Sequence, residues 1–124
     1  MTNSNKNVTI AQDVRASRLY IDETGKKRFA KWFEGLDAIA AARVTIALTR
    51  IEWGNLSNTR GVGKGVLECK IDFGPGYRIY FGKDGERLVI LIGGGTKKRQ
   101  DNDIAAAQVC WADYKWRKKH APYP

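Results

Sequence analysis

Glu68, Lys70, Arg78, Tyr80 and Lys97 are the residues of this 124-residue chain whose types and spacing suit work on a phosphodiester. Cleaving RNA without a metal takes a base for the 2′-hydroxyl, positive charge for the crowded phosphorane and an acid for the departing 5′-oxygen. Lys, Arg, Glu and Tyr can supply all three. Glu68 and Lys70 flank the position for a base, and like charges from Arg78 and Lys97 would disfavour the ammonium form of Lys70. Arg78, planar and always charged, suits the phosphate. Tyr80, or Tyr77 if the register slips, could stack on a nucleobase. Lys97 or Lys98 could protonate or stabilise the leaving oxygen, and Arg99 extends the same positive run. A plainer reading uses the same residues: Glu68 and Lys70 with Arg78 as a cross-strand ion pair on a wet sheet face, and residues 97–99 as a solvated loop.

Other chemistries find little support. His120 stands alone in a basic tail, no base neighbours Cys69 or Cys110, and no carboxylates and imidazoles cluster at ligand spacing, so neither metal nor cofactor is expected. The Gly61-Val-Gly-Lys-Gly65 stretch invites comparison with a phosphate-binding loop. That comparison fails because Gly65 stands where Ser or Thr is required, the first glycine is wrongly spaced, and a strand rather than a helix follows.

The elements that would position these side chains follow from periodicity. Leu67, Cys69 and Ile71 alternate with Glu68 and Lys70, and Tyr77, Ile79 and Phe81 alternate with Arg78 and Tyr80. Two half-buried strands therefore turn Glu68, Lys70, Arg78 and Tyr80 to one polar face. Residues 73–76, Phe-Gly-Pro-Gly, join them, and residues 83–86 turn the chain into an apolar strand at 88–92. That strand opens into Gly93, Gly94 and Gly95, where backbone without side chains can approach a ligand. Before this meander, residues 18–21 read as a first strand. A helix beginning near Lys26 carries Phe29, Trp32, Phe33 and Leu36 on one side, and a second runs from an Asp37 cap to about Glu52, stopped by Trp53-Gly54-Asn55. Residues 55–65 read as a polar loop. Asp101 or Asp103 caps a last helix with Ile104, Ala107, Trp111 and Tyr114 inward. The expected fold is α+β: a small antiparallel meander, a helical hairpin packed on one face and one C-terminal helix. Residues 1–17 form an extension in which residues 8–12 either add a strand or trail as a tail; 18–116 form the domain, and 117–124 a basic tail.

The chain carries 22 Lys and Arg against 13 Asp and Glu, a net charge of +9 that attracts polyanions. The longest apolar run, residues 88–92, is far short of a membrane span. The polar N-terminus lacks a signal-peptide core, and two lone cysteines make neither a disulfide framework nor a zinc spacing, so a reducing cytoplasm is the expected setting.

Taken together, Glu68-Cys-Lys-Ile71, Gly74-Pro-Gly-Tyr-Arg-Ile-Tyr-Phe81, the apolar strand and Gly93-Gly-Gly-Thr-Lys-Lys-Arg-Gln-Asp-Asn-Asp-Ile104 resemble the RelE/ParE toxin superfamily. The Phe29-x-x-Trp-Phe-x-x-Leu-Asp37 and Trp53-Gly-Asn55 segments match as well, most like the HigB-like branch of phage Gp49-like addiction-module killer proteins. The resemblance spans about residues 20–114. It implies helices on a small antiparallel sheet and a type II toxin: a ribosome-dependent endoribonuclease cutting mRNA. It also implies neutralisation by a helix-turn-helix antitoxin, through which the complex binds operator DNA. By position, Arg78 matches the family's phosphate-stabilising arginine and Lys97 its second cation. Lys70 falls one residue from the family's strand lysines, and Asp103 lies near a C-terminal acidic or aromatic catalytic position. The two-lysine strand pattern of some members is replaced by Glu68 and Lys70, and no tyrosine follows the basic loop. The superfamily also contains gyrase inhibitors, so a protein-binding toxin, or an inactive antitoxin-binding module, is the alternative.

Overall fold

A computed structural model describes residues 15–121; the expectation for residues 8–12 and the last three residues lie outside it. The described chain runs β1 (Ala16–Leu19), α1 (Arg28–Glu34), α2 (Ala38–Glu52), β2 (Thr59–Gly61), β3 (Leu67–Ile71), β4 (Tyr77–Asp84), β5 (Leu88–Thr96), a 3₁₀ turn (Lys97–Arg99) and α3 (Gln100–His120). The strands form one sheet in the order β1-β5-β4-β3-β2.

Local chemistry accounts for most boundaries. The Asp37 carboxylate accepts the Ala40 N–H at 2.8 Å and caps α2. Gly54, with φ at +85°, carries the chain out of that helix while its N–H donates to the Ile51 carbonyl. Gly74 and Gly76 take the positive φ values that the β3–β4 turn requires. The last helix begins differently from the expected Asp101 or Asp103 cap. The 3₁₀ turn runs directly into α3, so both aspartates fall inside its first turn and no side chain caps it. Their charges still favour the positive end of the helix dipole.

The sheet is mixed rather than antiparallel. β2, β3, β4 and β5 are antiparallel neighbours, but β1, at 16–19 rather than 18–21, runs parallel to β5 with Ala16 opposite Leu88 and Leu19 opposite Leu91. The chain between them, α1 and α2 followed by strands β2 to β4, supplies the long crossover that a parallel neighbour needs. Residues 55–65, expected to be loop, contain β2, which pairs Arg60 with Glu68. Its short edge ladder lacks the alternation that would announce it.

Both faces are covered. α1 and α2 pack on one face through Phe29, Val44, Ala47 and Ile51 against Cys69, Ile71, Ile79, Phe81, Val89 and Leu91. Small alanines do much of this work in α2, and Ile39 and Ile46 point outward. α3 lies on the opposite face, where Ala107, Cys110 and Trp111 meet Tyr20, Val66, Tyr80, Ile90 and Ile92. This is the face expected to be wet. Its polar members Glu68, Arg78 and Tyr80 are 2%, 5% and 1% exposed, and Lys70 alone of the four is exposed. No helix among the described residues is long and apolar enough to cross a membrane.

Candidate functional site

The register of β3 and β4 sets Glu68 opposite Tyr80 and Lys70 opposite Arg78, so the four expected residues do share a face. Glu68 is the centre of a hydrogen-bonded cluster. Its Oε1 accepts from Arg60 Nε at 3.0 Å, and its Oε2 accepts from the Tyr80 hydroxyl at 3.1 Å and from Gln100 Nε2 at 2.9 Å. Arg78 Nε lies 3.8 Å from the same Oε2, close enough for ion pairing and too far for a hydrogen bond. Burial pushes the Glu68 carboxyl up, but the hydrogen bonds from Gln100, Arg60 and Tyr80 outweigh it and hold the group below its ordinary value. The Tyr80 hydroxyl is pushed well above its usual range by burial and by the adjoining Glu68 carboxylate.

Arg78 and Lys97 meet at one carbonyl. The Gly76 oxygen accepts Arg78 Nη1 at 2.8 Å and the Lys97 N–H at 2.9 Å. A Cβ placed on Gly76 would stand 3.1 Å from Arg78 Nη1 and 3.5 Å from Lys97 Cβ. The missing side chain lets the β3–β4 turn close over the guanidinium. Lys97, Lys98 and Arg99 stay exposed on the 3₁₀ turn, and among the described residues none pairs with a carboxylate.

Asp103 borders the same region from α3. Its carboxylate lies against Gly95, the cross-strand partner of Arg78, where an added Cβ would come within 2.0 Å of Oδ2. Oδ2 is buried without a hydrogen-bond partner. Burial pushes this carboxyl up, and Arg99 and Arg28 only partly offset it. Tyr77, the other stacking candidate, faces the α1 and α2 side, with its ring edge-on to Trp32 at 6.4 Å. The functional-site reading of the sequence missed Arg60 and Gln100 as partners of Glu68. Arg60 sits on the strand read as loop, and Gln100 closes the basic run one residue after Arg99; only their pairing with Glu68 marks them.

The two cysteines are free, buried and packed in opposite core clusters. Among the described residues no group of three or more His, Cys, Asp and Glu side chains converges as metal ligands would.

The arrangement defines a small basic α+β protein in which buried Glu68, Tyr80 and Arg78, rimmed by Arg60 and Gln100, lie beneath exposed cations at one end of the sheet. No family model matches the chain, and no solved structure matches it. It is 37% identical over 82 residues to an uncharacterized protein of Haemophilus influenzae, a match covering 65% of this chain and 83% of that one. The chain belongs to the same family as that protein.

Proposed function

We propose that this protein is a type II toxin of the RelE/ParE kind, HigB-like, which cleaves mRNA on the ribosome and is held inactive by a helix-turn-helix antitoxin in the cytoplasm. The observation that carries the reading is the Gly76 carbonyl, which holds both the Arg78 guanidinium and the backbone N–H of Lys97 and so sets Lys97 beside Arg78, with Lys70 directly across from Arg78. In this reading Lys70 takes the 2′-hydroxyl proton and the 2′-oxygen bonds to phosphorus. The P–O5′ bond then breaks as Lys97 or Lys98 returns a proton to the 5′-oxygen, leaving a 2′,3′-cyclic phosphate and a 5′-hydroxyl. Arg78 stabilises the added charge on the phosphorane, and Glu68 orients Arg78. Tyr80, almost wholly buried and bonded to Glu68, acts through that cluster rather than as a stacking surface.

The test is induced expression in bacteria with mapping of mRNA ends. Lys70→Ala combined with Lys97→Ala removes two exposed cations and leaves the core intact, so growth arrest and mRNA cutting should both disappear while the folded circular-dichroism spectrum remains. Arrest that persists in the double variant refutes the assignment. In a second reading, inhibition of DNA gyrase by protein contact, Glu68, Tyr80 and Arg60 satisfy one another as structure rather than serve in catalysis. Loss of supercoiling activity in a purified gyrase assay selects that reading, and unaffected supercoiling removes it.

A further inference from the structure

Between α1 and α3, over the outer edge of β5, lies a cleft of about 240 Å³ bordered by Lys26, Arg28, Lys31, Trp32, Asp103 and the backbone of Gly93 and Gly94. Its existence follows from the strand pairing. The β1 ladder ends at Leu91, so among the described residues β5 has no outer neighbour strand along its glycines. The register slip between Tyr80 and Phe81 sets Gly93 directly opposite Tyr80 on the α3 face. A Cβ built on Gly93 meets nothing within 4 Å, so the layer of side chains over the sheet has a gap there. Gly94 is different: a Cβ would strike the Trp32 ring at 2.2 Å, so that indole rests flat on the glycine and forms an aromatic wall.

The polar groups around this gap are of two kinds and are separated in sequence. Asp103 contributes a carboxylate whose buried Oδ2 has no hydrogen-bond partner among the described residues. Lys26, Arg28 and Lys31 are exposed, and among the described residues none forms a salt bridge, although the Arg28 charge acts on the Asp103 carboxyl. A ligand that satisfies both kinds carries N–H donors for the carboxylate, a planar body for the indole and glycine floor, and negative charge for the cations. A nucleotide has this composition. An ionised carboxylate only accepts hydrogen bonds, so it favours a base edge rich in donors over the carbonyl-flanked edge of uracil. Guanine presents N1–H and an exocyclic amine side by side.

We infer that this cleft is a base-reading pocket for one RNA nucleotide, preferring guanine over uracil, with Asp103 accepting from the base and Lys26, Arg28 and Lys31 holding its phosphates. The inference rests on the RNA reading above for the kind of polymer, but it concerns a pocket reached from the α1 side and is tested without cleavage. Amide NMR spectra of the whole chain titrated with GMP should show shifts at Gly93, Gly94 and Gly95, with UMP binding at least about tenfold more weakly, as one good base contact discriminates. Gly93→Leu fills the gap from a backbone with ordinary φ, and binding of GMP should fall at least about tenfold while the remaining spectrum stays dispersed. Asp103→Asn keeps the shape and should bring GMP and UMP within about twofold of one another, since the carboxamide offers both a donor and an acceptor. Equal shifts from GMP, UMP and inorganic phosphate, full binding to the Gly93→Leu protein, or an undiminished preference in Asp103→Asn each overturn the pocket. Growth arrest caused by a protein whose glycines ignore GMP sinks this inference alone. GMP binding by a protein that cuts no RNA sinks the toxin assignment alone.

Discussion

Replacing Glu68 by alanine tests whether the cluster at the heart of this protein is as dry as its geometry. Glu68 is 2% exposed and Arg78 5%, and the carboxylate accepts from Arg60, Tyr80 and Gln100 with Arg78 beside it. Removing one member of a buried ion pair costs about 3–5 kcal/mol, because the other charge is left desolvated. The orphaned Tyr80 hydroxyl would by itself cost about 1–3 kcal/mol. The two penalties share one carboxylate and do not add, so about 3–5 kcal/mol is expected. That is a large part of the roughly 5–15 kcal/mol that holds a small domain together. At about 4 °C per kcal/mol for a chain of this length, Tm should drop by roughly 12–20 °C. Glu68→Gln, which keeps one acceptor oxygen, should cost about 1–3 kcal/mol. The pH dependence has a definite sign. The folded Glu68 carboxyl titrates below its ordinary value, so its stabilisation is present above the unfolded carboxylate range and is lost as pH falls through the folded value. Urea unfolding of the three proteins at neutral and acid pH reads all of this. A loss under about 1 kcal/mol for Glu68→Ala at neutral pH, the size of a surface pair, would refute the claim that α3 excludes water from the cluster.

Two further substitutions probe the backbone. Gly82→Ala would place a methyl group 2.6 Å from three atoms of the buried Trp111 ring, and thermal unfolding should show a loss of about 1–3 kcal/mol as the indole is driven from its site. Lys64, between Gly63 and Gly65, holds φ at +57° in a turn seated against Gln108 and Trp111. Lys64→Gly should therefore stabilise the chain by up to about 1 kcal/mol in urea unfolding, since relief of the left-handed strain exceeds the freedom glycine adds to the unfolded chain.

Much of the site was legible from residue spacing. Strict alternation in residues 67–71 and 77–81 is a local property of extended backbone, and it groups Glu68, Lys70, Arg78 and Tyr80 on one face without reference to strand pairing. The Asp37 cap and the Gly54 stop were equally local, each needing only a few neighbouring residues. The short strand β2 was not: three edge residues make no pattern, and Arg60 became a partner of Glu68 only once the ladder formed.

What the sequence determined by itself was therefore which side chains look the same way. What the tertiary structure alone decided was what that face meets. Period-two alternation is blind to whether a polar face is wet, and Glu68, Tyr80, Arg60 and Gln100 satisfy one another well enough for α3 to bury a row of residues that reads as solvent-facing. The parallel placement of β1 beside β5 and the meeting of Arg78 with Lys97 at Gly76 likewise join segments far apart in the chain. Such contacts arise from packing two layers of helices on one sheet, and no short window of sequence contains them.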